Sequence, residues 1–195
     1  MLGGQPVVIQ KPAIFLDRDG TINELNGFIS NYEQIKIIPN AAAAIKTLKN
    51  LGFLIIVVTN QPIIERGIIN QAELEEMHRN LNSELDKDGG AVDAFLYCPH
   101  EDSSKREINN TIDICRCRKP APGLIEEALR RFDIDLSKSW VIGDSWRDVG
   151  LANNVGINYF QIIGKSKNEN LELNQVYSLE QAAILIERKL ELNEI

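Results

Sequence analysis

Short apolar runs alternate along the chain with segments whose apolar residues recur three and four positions apart. Ala13 to Asp17 and Phe53 to Thr59 are runs of strand length, and near-continuous apolar character predicts strands covered on both faces. Between them, Asn40 to Leu51 carries a good helix-forming run of alanines, with Leu48 and Leu51 as core contacts and Gly52 as its stop. Asn70 followed by Glu73 predicts a capping box opening a second helix to about Leu85, because amide oxygen and carboxylate satisfy opposing backbone N–H groups. His78 in that pattern is expected to be a partly exposed helix residue. Val92 to Tyr97 predicts a third strand, and the polar stretch from His100 to Thr111 an irregular loop. Pro122 suits the first turn of a helix reaching about Phe132, where its missing N–H costs little. Trp140 to Gly143 then reads as a strand, Arg147 to Asn154 as a short helix and Ile157 to Ile162 as a strand. Ser178 to Leu190 forms a last helix, with Ser178 and Gln181 in capping-box positions.

Such alternation predicts an α/β fold with a mostly parallel sheet and helices on both faces. The glycines follow no GxGxxG dinucleotide fingerprint. A length of 195 residues suits a single domain over 1–195, with a core at about 12–162, a loop at 98–117 and a C-terminal extension at about 163–195. At 44% hydrophobic and 25% charged residues, disorder is disfavoured. The longest strongly apolar stretch, Leu51 to Val58, falls far short of a membrane span. A formal charge of −7 weakens attraction to nucleic acid and anionic membranes, while leaving room for a local basic pocket that holds a small anion. Residues 1–12 lack the apolar run and cleavage signal of a secretory leader, and three cysteines are an odd number. Reduced thiols in the cytoplasm are therefore expected.

Candidate chemistry gathers at the ends of the predicted strands. Asp17 and Asp19 follow the first strand in Asp17-Arg18-Asp19-Gly20-Thr21. If that segment turns, one carboxylate can attack a phosphorus, the other can handle a proton, and both stay within reach of a hard divalent cation. Thr59, Asn60 and Gln61 end the second strand with hydroxyl and amide donors suited to phosphate oxygens. Arg118 and Lys119 place fixed positive charge before a proline-started helix. Asp144 and Asp148 sit about one helical turn apart after the short strand, a spacing suited to metal binding. Cys98, His100, Cys115 and Cys117 supply three thiolates and an imidazole within 20 residues, a complete tetrahedral set for structural Zn2+.

The segments AIFLDRDGT, VVTNQ, CRKP and WVIGDSWRD, in that order, resemble the four recurring motifs of the haloacid dehalogenase-like phosphatase superfamily. That resemblance implies a three-layer Rossmann-like fold with Asp17 as aspartyl nucleophile and Asp19 as general acid and then base. Thr59 and Asn60 would bind phosphate, and Lys119 would steady nucleophile and phosphate. Mg2+ would lie among Asp17, Asp144 and the main-chain carbonyl of Asp19, with Asp148 in support. The Cys-His loop ahead of Lys119 is similar to that of the heptose-1,7-bisphosphate 7-phosphatase group, whose ground plan histidinol-phosphate phosphatases share. The resemblance covers roughly Pro12 to Gln161. It implies a small phosphorylated metabolite, a sugar bisphosphate, with Arg66 and Arg118 on the sugar or its second phosphate. The zinc-filled loop fits it as well; the acidic charge argues against nucleic-acid and membrane partners, and the short rim loops suit a monomer. Short rim loops, Asn23 to Tyr32 and Pro62 to Gly67, stand where a cap domain would be inserted. Pro62-Ile63-Ile64-Glu65 and Ser145-Trp146 depart from the group's usual residues. Two other readings remain: a histidinol-phosphate or other sugar-phosphate phosphatase, and a noncatalytic phospholigand-binding protein.

Overall fold

A computed structural model describes residues 10–102, 107–108, 111–112, 115–164 and 171–193. The apolar runs become Ala13–Leu16 (β1), Leu54–Asn60 (β2), Ala94–Cys98 (β3), Trp140–Gly143 (β6) and Asn158–Ile162 (β7). The helical patterns become Ala41–Asn50 (α1), Gln71–Asp86 (α2), Gly123–Arg131 (α3), Trp146–Val155 (α4) and Leu179–Glu191 (α5). With the two-residue strand Gln175–Val176 (β8), six strands join in the order β3-β2-β1-β6-β7-β8, and every neighbouring pair is parallel. The order reverses between β1 and β6, the place where an open parallel sheet leaves a crevice beyond its carboxyl ends.

Alternation along β1 divides the core into two layers. Ile14 and Leu16 face one cluster with Ile45 and Leu48 of α1, Leu81 and Leu85 of α2 and Ile186 of α5. Ala13 and Phe15 face the other, with Leu124 and Ile125 of α3 and Leu151 and Ala152 of α4. A third, smaller cluster sets Ile29, Ile63 and Ile69 of the rim loops on Leu74 and Met77 of α2. Apolar anchors thus fix both short rim loops to the domain.

The helix ends follow their sequence signals. The Asn70–Glu73 capping box forms in full, and Gly52 adopts φ +95 after α1. At α5, Gln181 N–H donates to Ser178 Oγ, but the Gln181 side chain accepts from Tyr177 N–H, one residue earlier than a regular capping box.

Three short strands were not foreseen. The stretch expected to be irregular contains Glu107–Ile108 (β4) paired antiparallel with Thr111–Ile112 (β5). Gln175–Val176 (β8) adds a sixth strand beside β7. With it, the segment read as an extension is built into the main core, since Val176, Leu179, Ala182, Ala183 and Ile186 are all buried there. Asn40, before α1, donates from Nδ2 to Glu180 of α5 and ties the helix ends together.

Replacing Ile186 with alanine should therefore cost about 2–5 kcal/mol, with sheet and α5 unfolding in one urea transition. A separate early transition for α5 would show that the segment is independent.

Candidate active site and thiol cluster

The carboxyl ends of β1, β2 and β6 open onto one cavity of about 360 Å³, lined among others by Asp17, Asp19, Thr59, Asn60, Arg118, Lys119, Asp144 and Arg147. Asp17 leaves β1 with its N–H on Ile142 O of β6, and its Oδ1 accepts from Arg18 N–H at 2.7 Å. The chain then turns tightly at Gly20, with φ +79, against motif-four Asp144. A Cβ at Gly20 would fall 2.0 Å from Asp144 Oδ2, so both the backbone angle and the close approach require glycine. Asp144 follows β6, and α4 begins with a capping box in which Asp148 Oδ2 accepts from Ser145 N–H and Oγ.

Lys119 joins these turns. Its Nζ lies 2.9 Å from Asp17 Oδ2 and 2.6 Å from Asp148 Oδ1, and lysine and both acids are almost completely removed from solvent. Burial lowers the ammonium's proton affinity, but Asp17 and Asp148 more than offset this and keep it charged above its ordinary range. Burial pushes the Asp17 carboxyl up to about 7 against the pull of Lys119, with Asp148 and Asp19 adding to the rise. Asp144 moves up as well, through burial and the Asp148 charge. Oxygens of Asp17, Asp144 and Asp148 lie within 4.8 Å of one another. Three carboxylates brought this close together make a donor set that fits a hard divalent cation.

The Asp19 side chain turns away from that trio, so among the proposed cation ligands its carboxylate drops out and only its main-chain carbonyl is left. Its Oδ1 accepts from Arg18 Nε and Nη2 and from Asn23 Nδ2; its Oδ2 accepts from Arg18 Nη2 and Gln61 Nε2. Burial alone would raise this carboxyl, yet Arg18, Asn23 and Gln61 together hold it below the usual carboxylate range. Arg18, which the sequence did not single out, is 1% exposed, and its Nη1 lies 3.2 Å from His78 Nε2. His78 is correspondingly buried, 3% exposed, and stacked on Phe95 at 4.5 Å; the expected partly exposed residue is not observed. The signal was present, since Leu74, Met77, His78, Leu81 and Leu85 form one helical stripe and all are buried.

The remaining predicted site residues divide between the cavity, which Thr59, Asn60 and Arg118 line, and its rim. Thr59 lines the cavity and its Oγ1 accepts from Gln61 Nε2. Asn60 uses its amide on the main chain of Lys119, donating to the carbonyl at 3.2 Å and accepting from the N–H at 3.0 Å, so it sets the height of the lysine. Arg118 lines the cavity and donates to His100 O at 2.7 Å. Arg66 does not line it: its guanidinium lies over the Phe28 ring at 4.4 Å and is ion-paired with Glu101. Arg147, not proposed from sequence, takes a place in the cavity wall.

Cys98, His100, Cys115 and Cys117 converge beside this cavity. Their six ligand-atom separations, Sγ or Nδ1, run from 3.1 to 3.6 Å, the edges of a nearly regular tetrahedron. Ligands at 2.3 Å around a tetrahedral zinc stand about 3.8 Å apart, so the donor set and its shape fit that ion. Hydrogen bonds shared with Cys98, Cys115 and His100 hold the Cys117 thiol down to about 5, while the contact with Cys117 and burial push the Cys98 thiol up.

Comparison with known proteins agrees with this geometry. Residues 116–180 match the HAD-hydrolase-like family model. The chain is 34% identical over 160 residues to the D-glycero-beta-D-manno-heptose-1,7-bisphosphate 7-phosphatase of Rhodopseudomonas palustris, covering 80% of this chain and 86% of that one. It is 34% identical over 179 residues to the protein of the same name from Escherichia coli K12, covering 88% and 93%. The crystal structure of D,D-heptose 1,7-bisphosphate phosphatase from B. bronchiseptica, complexed with magnesium and phosphate, superposes with a TM-score of 0.77 at 28% identity. That match covers 91% of this chain and 99% of the other. Among the described residues no helix is long and apolar enough to cross a membrane.

Buried His78 gives stability a pH dependence of its own. Burial first, and then the Arg18 charge, lower its pKa to about 3, so below about 6.5 the unfolded chain takes up a proton that the folded chain refuses. Its contribution is complete above 6.5 and declines as pH falls toward 3. Between pH 7 and pH 5 the native chain should lose about 2 kcal/mol more than a His78→Gln variant, as read from urea midpoints.

Proposed function

Since the chain belongs to the haloacid dehalogenase-like phosphatases, we propose that it removes the 7-phosphate from D-glycero-D-manno-heptose 1,7-bisphosphate through an aspartyl-phosphate on Asp17, with Mg2+ as cofactor. The observation that carries this reading is the buried Lys119 ammonium bridging Asp17 and Asp148 at a cavity whose lining also includes Asp144, Arg118 and Arg147. The substrate is taken from the names of the relatives, and the basic residues on the cavity wall suit it. Arg118 and Arg147 offer two guanidinium groups to a second phosphate. Arg66, paired with Glu101 and packed on Phe28, is assigned to the rim instead.

In the proposed cycle an Asp17 carboxylate oxygen attacks the phosphorus in line with the departing sugar oxygen. Lys119 holds the other face of that carboxylate and offsets the negative charge that gathers on the transferring group. Asp19 delivers a proton to the leaving alkoxide, then takes one from the water that cleaves the phosphoryl-aspartate. Its grip by Arg18, Asn23 and Gln61 suits the second of these roles directly. The first requires a proton on an oxygen to which Arg18 otherwise donates. Asp17, Asp144 and the carbonyl of Asp19 would hold Mg2+, with Asp148 supporting them; when bound, the ion screens phosphate charge and orients the phosphoryl group.

Phosphate release should be fastest with a heptose 1,7-bisphosphate, slower with heptose 7-phosphate, and slower still with histidinol phosphate. Asp17→Asn should abolish release while leaving the free energy of urea unfolding within about 1 kcal/mol of the parent. Preference for histidinol phosphate would replace the substrate, and full activity in Asp17→Asn would remove the nucleophile.

We also assign the thiol cluster to one structural Zn2+ per chain. Its role would be to anchor the loop that presents Arg118, because His100 contributes both a ligand nitrogen and the carbonyl that receives the arginine. Metal analysis of the purified protein should find about one zinc per chain, and Cys117→Ser should lose it and lower the melting temperature. Full thermal stability in a zinc-free protein would refute the clamp.

A further inference from the structure

The most unusual buried polar contact outside the proposed nucleophile and cation site is the one between α2 and the motif-one turn. An arginine only donates hydrogen bonds, so the 3.2 Å contact between Arg18 Nη1 and His78 Nε2 makes Nε2 the acceptor and puts the imidazole proton on Nδ1. Phe95 stacks on the ring at 4.5 Å and Tyr97 meets it edge-on at 5.9 Å, so the acceptor lone pair has a fixed direction. The other edge of the guanidinium, through Nε and Nη2, reaches both oxygens of Asp19 at 2.8 to 3.1 Å. Each link is directional, and Arg18 and His78 are both buried. An aromatic wall fixes the imidazole, the imidazole fixes the arginine, and the arginine fixes the carboxylate.

We infer that His78 is a positioning residue for the second half of the reaction, holding Arg18 so that Asp19 stays aimed at the hydrolytic water. This inference rests on the proposed aspartyl-phosphate cycle. In that half, the water oxygen forms a bond to phosphorus while the bond from phosphorus to the Asp17 oxygen breaks. The electron pair returns to the Asp17 carboxylate, and the water proton passes to Asp19. A guanidinium free to swing leaves Asp19 held only by Asn23 and Gln61, its aim at the water loosens, and the phosphoryl-aspartate waits longer for its water. Formation of that intermediate from a substrate with a good leaving group needs no proton from Asp19 and is spared.

The test is pre-steady-state hydrolysis of 4-nitrophenyl phosphate by the full chain with Mg2+, comparing wild type with His78→Phe and His78→Gln. Phenylalanine keeps the stack on Phe95 and removes the acceptor; glutamine supplies an acceptor oxygen near the place of Nε2. His78→Phe should lower kcat about 10- to 100-fold, leave kcat/KM within about twofold, and show a burst of nitrophenolate with acid-stable phosphoprotein. His78→Gln should restore most of kcat and abolish the burst. Unchanged kcat in His78→Phe overturns the inference, and so does a parallel fall of kcat and kcat/KM without phosphoprotein, which is what a purely structural histidine would give. Asp19→Asn separates the two levels. If it stalls as phosphoprotein while His78→Phe does not, only the inference falls; if it turns over at the wild-type rate, the role of Asp19 falls and takes the inference with it.

Discussion

One ammonium group makes the site possible. Three carboxylates with oxygens inside 4.8 Å, two of them buried, would repel one another strongly, and Lys119 sets one positive charge between the buried two. The lysine is not free to move, because both its main-chain polar groups are held by the side chain of Asn60 at the end of β2. Three neighbouring strand ends are in this way tied by side-chain bonds as well as by the sheet: β1 through Asp17, β2 through Asn60, and β6 through the turn into α4 that carries Asp148. Close packing at Gly20 and Gly143 completes the arrangement, since a Cβ at either would run into the carboxylates themselves.

Much of this was legible in the chain, and the parts that were not have a common cause. Continuous apolar runs located the five longer strands, and Asn70 with Glu73 located the start of α2 almost to the residue, because backbone hydrogen bonding and burial act over neighbouring positions. Asp17, Asp144, Lys119 and the four thiol-cluster ligands were recognisable by residue type and order, and the fold brings them together. β8 escaped because two residues, Gln175 and Val176, are too few to show a period. Arg18 escaped because nothing in a one-dimensional pattern says that an arginine beside two aspartates is enclosed by a histidine and its stacked aromatic neighbour.

The rim shows the limit more sharply. Arg66 and Arg147 look equivalent in sequence, each an arginine close to a phosphate motif. Their fates differ because Glu101 and Phe28 take up the first, while the second remains on the cavity wall. Charge available to a ligand is what remains after the fold has paired the rest, and that subtraction is set by contacts between distant loops. Arg118 illustrates a third case, a cavity arginine whose orientation depends on a carbonyl in the thiol-cluster loop.

The bond between Asn40 and Glu180 joins the start of α1 to the start of α5 across 140 positions of chain. Because synthesis runs from the amino end, α1 and the face of β1 carrying Ile14 and Leu16 are made long before the helix that covers them. A nascent chain therefore displays an apolar layer that still lacks its last helix, the kind of surface on which chaperones act. Any premature stop codon ahead of residue 179 leaves that layer permanently open, so truncated products should be cleared by proteolysis instead of persisting as folded fragments.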